Sequence, residues 1–195
     1  IPGLPALEEV RRVLRPTAER YAGMRTVAVA SIVGSEGRAD DFDRAFRPRR
    51  QHVRRRWMSI LLAHVRSIEL PAVKLYEIGG LYFVRDGNHR VSVARARGIQ
   101  FIDAEVTSLA TDVALAPGMT VEDMRRAVLE HERKLFSGAL ERFPAVAGSE
   151  LAFSEPGGFD EILAHIACHR QTLRRSGGPS DAESAARSWY EGIYL

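Results

Sequence analysis

Residues 70–106 read LPAVKLYEIGGLYFVRDGNHRVSVARARGIQFIDAEV, and this stretch decides the fold. Val73–Ile78 and Leu81–Val84 are β-branched and aromatic runs separated by Gly79-Gly80. Two glycines tolerate the positive φ of a tight hairpin turn, so an antiparallel strand pair is predicted. Asp86-Gly87 ends the second strand. Asn88–Arg97 reads as a short helix, closed by Gly98 in the position where left-handed backbone ends a helix. Phe101–Val106 is a third strand, with Ile102, Ala104 and Val106 on one side and Asp103 and Glu105 on the other.

The junction Asp86-Gly87-Asn88-His89-Arg90 carries the chemistry. Glycine lets the chain turn sharply at the top of a strand. The residues after it open a helix whose first amides lack internal partners, and those donors together with the helix dipole favour an anion. Arg90 offers a fork for two phosphate oxygens, and His89 a further hydrogen bond or a proton. The same pattern also fits a helix that Asp86 and Asn88 merely cap, with Arg90 in solvent.

The stretch resembles the core of the ParB/sulfiredoxin superfamily, which has a strand pair, a G-x-H-R or G-x-R-R phosphate box opening a helix, and a further strand after it. Here the box is Gly87, Asn88, His89 and Arg90. With the segment upstream, the resemblance spans roughly residues 25–107. It implies an α+β fold, a small mixed sheet with flanking helices. It also implies a nucleotide triphosphate or diphosphate (ATP, ADP or CTP) at the box; carboxylates of the loop at Asp40–Asp43 could hold Mg2+ against its phosphates. ParB proteins use the nucleotide to gate a clamp on DNA. Sulfiredoxin phosphorylates a sulfinic acid. Free-serine kinases of this fold use an Asp-Gly-His-His-Arg box for phosphoryl transfer, and Asp86–Arg90 differs from it by one residue. Asn88 stands where sulfiredoxin has its catalytic cysteine, so sulfinic acid reduction is not expected. The resemblance implies nucleotide binding at Gly87, Asn88, His89 and Arg90, with transfer to a small hydroxyl-bearing metabolite as its specific form. The alternative is a ParB-like, nucleotide-responsive DNA-binding regulator.

Outward from this core, Ala6–Arg15 is an amphipathic helix stopped by Pro16, and Thr26–Val33 reads as a strand. Gly34–Asp43 is polar and glycine-bearing, hence a loop. In the kinase members an acidic residue of this region is the base that activates the acceptor. Asp41 and Asp43 are the expected bases, with Asp40 beside them and Glu36 less favoured. Asp86 is expected to orient His89 or to bind the metal. These loop carboxylates could equally complement a helix dipole. A helix from Pro48 to about Ser67 follows, with Val53, Trp57, Ile60, Leu61 and His64 inward.

After Thr107 the texture is helical: Thr120 to about Phe143, a Pro- and Gly-bearing loop over 144–158, Phe159–Arg175, and a last helix capped by Ser180. Three segments are expected: residues 1–24 as a lead-in, 25–110 as the nucleotide-binding domain, and 111–195 as an all-helical extension. No helix-turn-helix pattern is found in the extension.

The 195 residues carry a net charge of +3, divided unevenly. Residues 1–110 hold 19 Lys and Arg against 12 Asp and Glu; residues 111–195 hold 9 against 13. Seven arginines fall between Arg44 and Arg56, a phosphate or nucleic-acid surface or simply a solvated helix in a chain with 26 Arg and 2 Lys. DNA is expected to bind weakly at most. Glu161, His165, Cys168 and His169 share a helix face, but structural zinc draws its ligands from two segments, so no metal is assigned. Trp189, Tyr190 and Tyr194 are expected to dock the last helix or, if exposed, to form a partner site. A single cysteine and no long apolar run point to a reducing, cytoplasmic setting with no membrane partner; a homo-oligomer is compatible with all of this.

Overall fold

The computed structural model describes residues 3–66, 68, 70–140 and 152–194. The chain divides into two compact units, Ile1–Met124 and Arg125–Leu195.

The first unit is built on a five-stranded mixed sheet. Its strands are β1 (Glu19–Ala28), β2 (Ile32–Ser35), β3 (Val73–Ile78), β4 (Leu81–Asp86) and β5 (Phe101–Leu109), in the spatial order β1-β5-β3-β4-β2. β1–β5 and β3–β4 pair antiparallel; β3–β5 and β2–β4 pair parallel. The helices are α1 (Leu7–Leu14), α2 (Gln51–Val65) and α3 (Asn88–Ala96). The expected fold class, a small mixed sheet with flanking helices followed by helices alone, is the one observed.

The hairpin forms where the two glycines allow it: Gly79 and Gly80 have φ of 59° and 89°. The segment read as one strand over Thr26–Val33 is two. β1 starts at Glu19, and a short 3₁₀ turn at Val29–Ser31 turns the chain into β2 at the opposite edge of the sheet. β1 is an edge strand exposed along most of its length, so no alternation of apolar residues marks its start.

Val27, Ile32, Val73, Leu75, Val84, Val91, Ala104 and Val106 form the core, joined by Val53 of α2. The segment between β2 and α2 is polar in composition but not peripheral. Phe42 and Phe46 within it are fully buried in that core. Two large aromatic groups removed from water tie the loop to the sheet far more firmly than its polar residues could.

In the second unit, α5 (Gly158–Arg175) and α6 (Ala182–Trp189) pack with α4 (Val121–Leu140). Phe136, Phe159, Ile162, Ile166, Ala186 and Trp189 make its core, so Trp189 docks the last helix. Asp181, not Ser180, caps α6 by accepting the Ser184 N–H. Thr120 and Asp123 form a reciprocal capping box at the start of α4, at 3.0 and 3.1 Å. The expected end of that helix at Phe143, most of the following loop, and Ser67 lie outside the described residues. No helix of the described residues is long and apolar enough to cross a membrane.

Candidate anion-binding site

Gly87 sets the geometry. Its φ of 105° turns the chain out of β4, and α3 starts immediately afterwards. A Cβ there would lie 2.6 Å from the buried Val73 Cγ1, so glycine is required twice over. The first helical bond runs from Val91 N–H to Gly87 O. The amides of Asn88, His89 and Arg90 therefore have no acceptor within the helix. Asn88 is buried, and its Oδ1 has no hydrogen-bond partner.

These residues form one wall of a cleft of about 520 Å³. The opposite walls are Glu36, Gly37 and Arg38 from the loop after β2, and His52, Val53, Arg56 and Ile60 from α2. The loop is pinned to the strand that leads into the box. Ser35 Oγ donates to Val84 O (3.3 Å) and accepts the Arg38 N–H (3.2 Å), while the Glu36 N–H donates to Val84 O at 2.9 Å. This anchoring brings Glu36 and Arg38 opposite Gly87–Arg90.

The cleft is cationic: Arg38, Arg56, Arg85 and Arg90 against Glu36 and Asp86. His89 feels this field. Burial lowers its pKa, the Arg38 and Arg56 guanidiniums lower it further, and Asp41 opposes them. The ring packs edge-on against Phe42, with centroids 5.4 Å apart, and its Nδ1 is buried without a partner. Burial and the two guanidiniums thus disfavour the charged imidazolium, and a bound anion would favour it.

Several expected site residues have other work. Arg90 does not extend a free fork into the cleft. Its Nη1 donates to Ala72 O (2.9 Å) and to Pro71 O, and its Nη2 to Asp86 Oδ2. Asp86 Oδ2 is paired with Arg90, and no hydrogen bond joins Asp86 to His89 among the described residues. Arg90 and Asp86 clamp the lead-in of β3 against the start of α3.

Asp43 is occupied too: its Oδ1 accepts the N–H groups of Ala45 (2.9 Å) and Arg47 (2.8 Å), closing the turn that seats Phe46. Asp41 lies 3.5 Å from Arg38 and 3.8 Å from Arg50. Neither Asp40, Asp41 nor Asp43 is on the cleft wall; Glu36 is the loop carboxylate that lies there. The sequence did not single out Arg38 or His52 as site residues, and it offered Arg56 only as one of seven arginines of a possible phosphate or nucleic-acid surface. The position of Arg38 depends on the Ser35–Val84 anchor, 49 residues apart in sequence, which no local pattern announces.

Among the described residues no group of three His, Cys, Asp or Glu could hold a metal ion. On α5, His169 Nε2 lies 3.0 Å from Ser188 Oγ of α6, and Cys168 is exposed.

No protein-family profile matches the chain, and no curated protein matches it. Among solved structures it is similar to sulfiredoxin from Arabidopsis thaliana, at 13% identity and a TM-score of 0.33, covering 43% of this chain and 82% of that one. It is also similar to the C-terminally truncated chromosome-partitioning protein ParB from Caulobacter crescentus complexed with CTP-gamma-S. That match has 13% identity and a TM-score of 0.33, and covers 89% of this chain and all of that one.

Proposed function

We propose that the cleft binds the phosphates of a nucleoside di- or triphosphate. One observation carries this: Asn88, His89 and Arg90, whose amides have no acceptor within the helix, line the same cleft as Arg38 and Arg56. Backbone donors, a helix dipole and guanidiniums converging on one volume are what a polyphosphate needs. The volume exceeds that of one inorganic phosphate, and Val53 and Ile60 provide an apolar wall for a base or ribose. Arg90 supports the site indirectly, holding the box in register through Asp86 and the Pro71 and Ala72 carbonyls.

A second reading, phosphoryl transfer to a small hydroxyl-bearing acceptor, is favoured by Glu36. Transfer requires held phosphates, neutralised charge and an aimed nucleophile. Glu36 is a cleft carboxylate with no ion pair among the described residues, so it replaces Asp41 and Asp43 as the proposed base. It is also the side chain that could reach a nucleotide-bound Mg2+.

The test of the first reading is a thermal-shift screen with ATP, ADP, CTP and GTP, with and without Mg2+. A ligand selective for the folded state raises its melting temperature. Stabilisation by at least one nucleotide, lost in Arg38→Ala/Arg56→Ala, is expected; no shift with any nucleotide rejects it. The second reading is tested by adding hydroxyl metabolites, serine included, and measuring phosphorylated product. Glu36→Gln should lower turnover about 10²–10⁴-fold with nucleotide affinity retained.

A further inference from the structure

A separate cavity of about 770 Å³ is walled by the C-terminal half of α3, by α2 and by the turns at Val29 and Phe46. It faces neither Asn88 nor His89. Its wall carries two arginines, Arg47 and Arg95, and neither Asp nor Glu. The rest is mainly apolar, including Phe46, Trp57, Ile99 and Phe101.

Arg95 is the unusual member. Its Nη2 donates to the carbonyl oxygens of Val29 (3.3 Å) and Ile32, and its guanidinium lies 4.7 Å above the Phe46 ring. None of these partners is a carboxylate. A half-buried guanidinium is ordinarily paired with an anion, because carbonyl oxygens satisfy its N–H groups without neutralising its charge. Arg95 Nε and Trp57 Nε1 are buried behind this wall, without an acceptor among the described residues and without access to the cavity's volume. The wall is also held under strain. Phe46 sits at φ 58°, a region a bulky L-residue rarely adopts, with its carbonyl accepting from Ser92 Oγ. Strain of this kind persists where the surroundings impose it, and it gathers at ligand sites.

We propose that this cavity is a binding site for a small carboxylate with an apolar body, an arylalkanoate or branched-chain acid. The carboxylate would give Arg95 its missing counter-ion, with Arg47 at the rim. The apolar body would lie against Ile99 and Phe101. A polyphosphate fits less well: it carries several charges and no apolar body, whereas most of this wall is apolar. The site is independent of nucleotide binding in the cleft.

The experiment is calorimetric and ligand-observed NMR titration of the full chain with phenylacetate, with neutral phenylacetamide as the matched control. Saturable phenylacetate binding is expected, with phenylacetamide at least about tenfold weaker, as loss of a charge-assisted contact implies. Arg47 is exposed, so Arg47→Ala leaves the core intact; it should weaken binding and flatten its salt dependence. The proposal is overturned if phenylacetate does not saturate, if the amide binds equally well, or if Arg47→Ala binds as the parent does.

Discussion

Replacing Arg90 by alanine separates a phosphate ligand from a structural clamp. As a ligand, Arg90 would affect nucleotide affinity and little else. The structure assigns it two carbonyl acceptors before β3 and the Asp86 carboxylate at the end of β4. Its side chain is 14% exposed and that of Asp86 is 65% exposed. The Asp86 contact is therefore screened and contributes at most about 1 kcal/mol. The carbonyl bonds are better shielded, and a hydrogen bond from a charged donor contributes roughly 1.5–3 kcal/mol. With non-additivity between bonds sharing one guanidinium, Arg90→Ala should destabilise the β3–β4 region by about 2–4 kcal/mol. Asp86→Ala should cost less than about 1 kcal/mol. Arg90→Lys keeps the charge but cannot fork, so it should recover less than half of the loss. The assay is native-state hydrogen exchange at the amides of β3 and β4. At tenfold per 1.4 kcal/mol, exchange should accelerate about 30- to 700-fold in Arg90→Ala. The reasoning is refuted if exchange in Arg90→Ala matches the parent while nucleotide affinity disappears, because Arg90 would then be serving the ligand.

Other consequences follow from the same geometry. Gly87→Ala meets both a left-handed backbone and the Val73 side chain at 2.6 Å, so a loss of about 2–4 kcal/mol is expected in chemical denaturation. His89 has a pKa lowered from 6.5, so between the folded value and 6.5 the unfolded chain binds more protons. Stability should therefore decline as pH falls below about 6.5 and level off below the folded value, and unfolding curves of His89→Gln should lack that component. Thr120→Ala removes one half of the capping box and should lower the stability of α4 by about 1 kcal/mol, read by exchange of its first-turn amides. If the exposed arginines of α2 touch DNA, fluorescence anisotropy should show weak binding, little sequence preference and a steep fall with salt. A flat salt response removes that reading.

The sequence displays the hairpin, the box and the helix behind it because each is a local signal: two glycines in a turn, one at a strand end, one at a helix end. The box amides follow from Gly87 alone. What the residues near the box do with their side chains is not local. Arg90 looks like a phosphate fork until the Pro71 and Ala72 carbonyls, 19 and 18 residues earlier, are brought beside it. Asp43 looks like a free loop carboxylate, although its bonds to Ala45 and Arg47 are a short-range Asx turn that spacing could have announced. Glu36 and Arg38 gain their place from Ser35 and Val84, one on each of two strands made adjacent only by the parallel pairing of β2 with β4. The polar composition around Phe42 and Phe46 concealed two fully buried rings, one of them packed against His89.

The most direct test of the central claim is a heteronuclear NMR titration following the backbone amides of Asn88, His89 and Arg90. Each nucleotide is added alongside its uncharged nucleoside. If these amides take up phosphate, their resonances move together and saturably with the nucleotide, accompanied by shifts at Arg38 and Arg56, while the nucleoside leaves them in place. Nucleotide binding that leaves the Asn88–Arg90 amides unmoved, or moves them no more than the nucleoside does, contradicts the account.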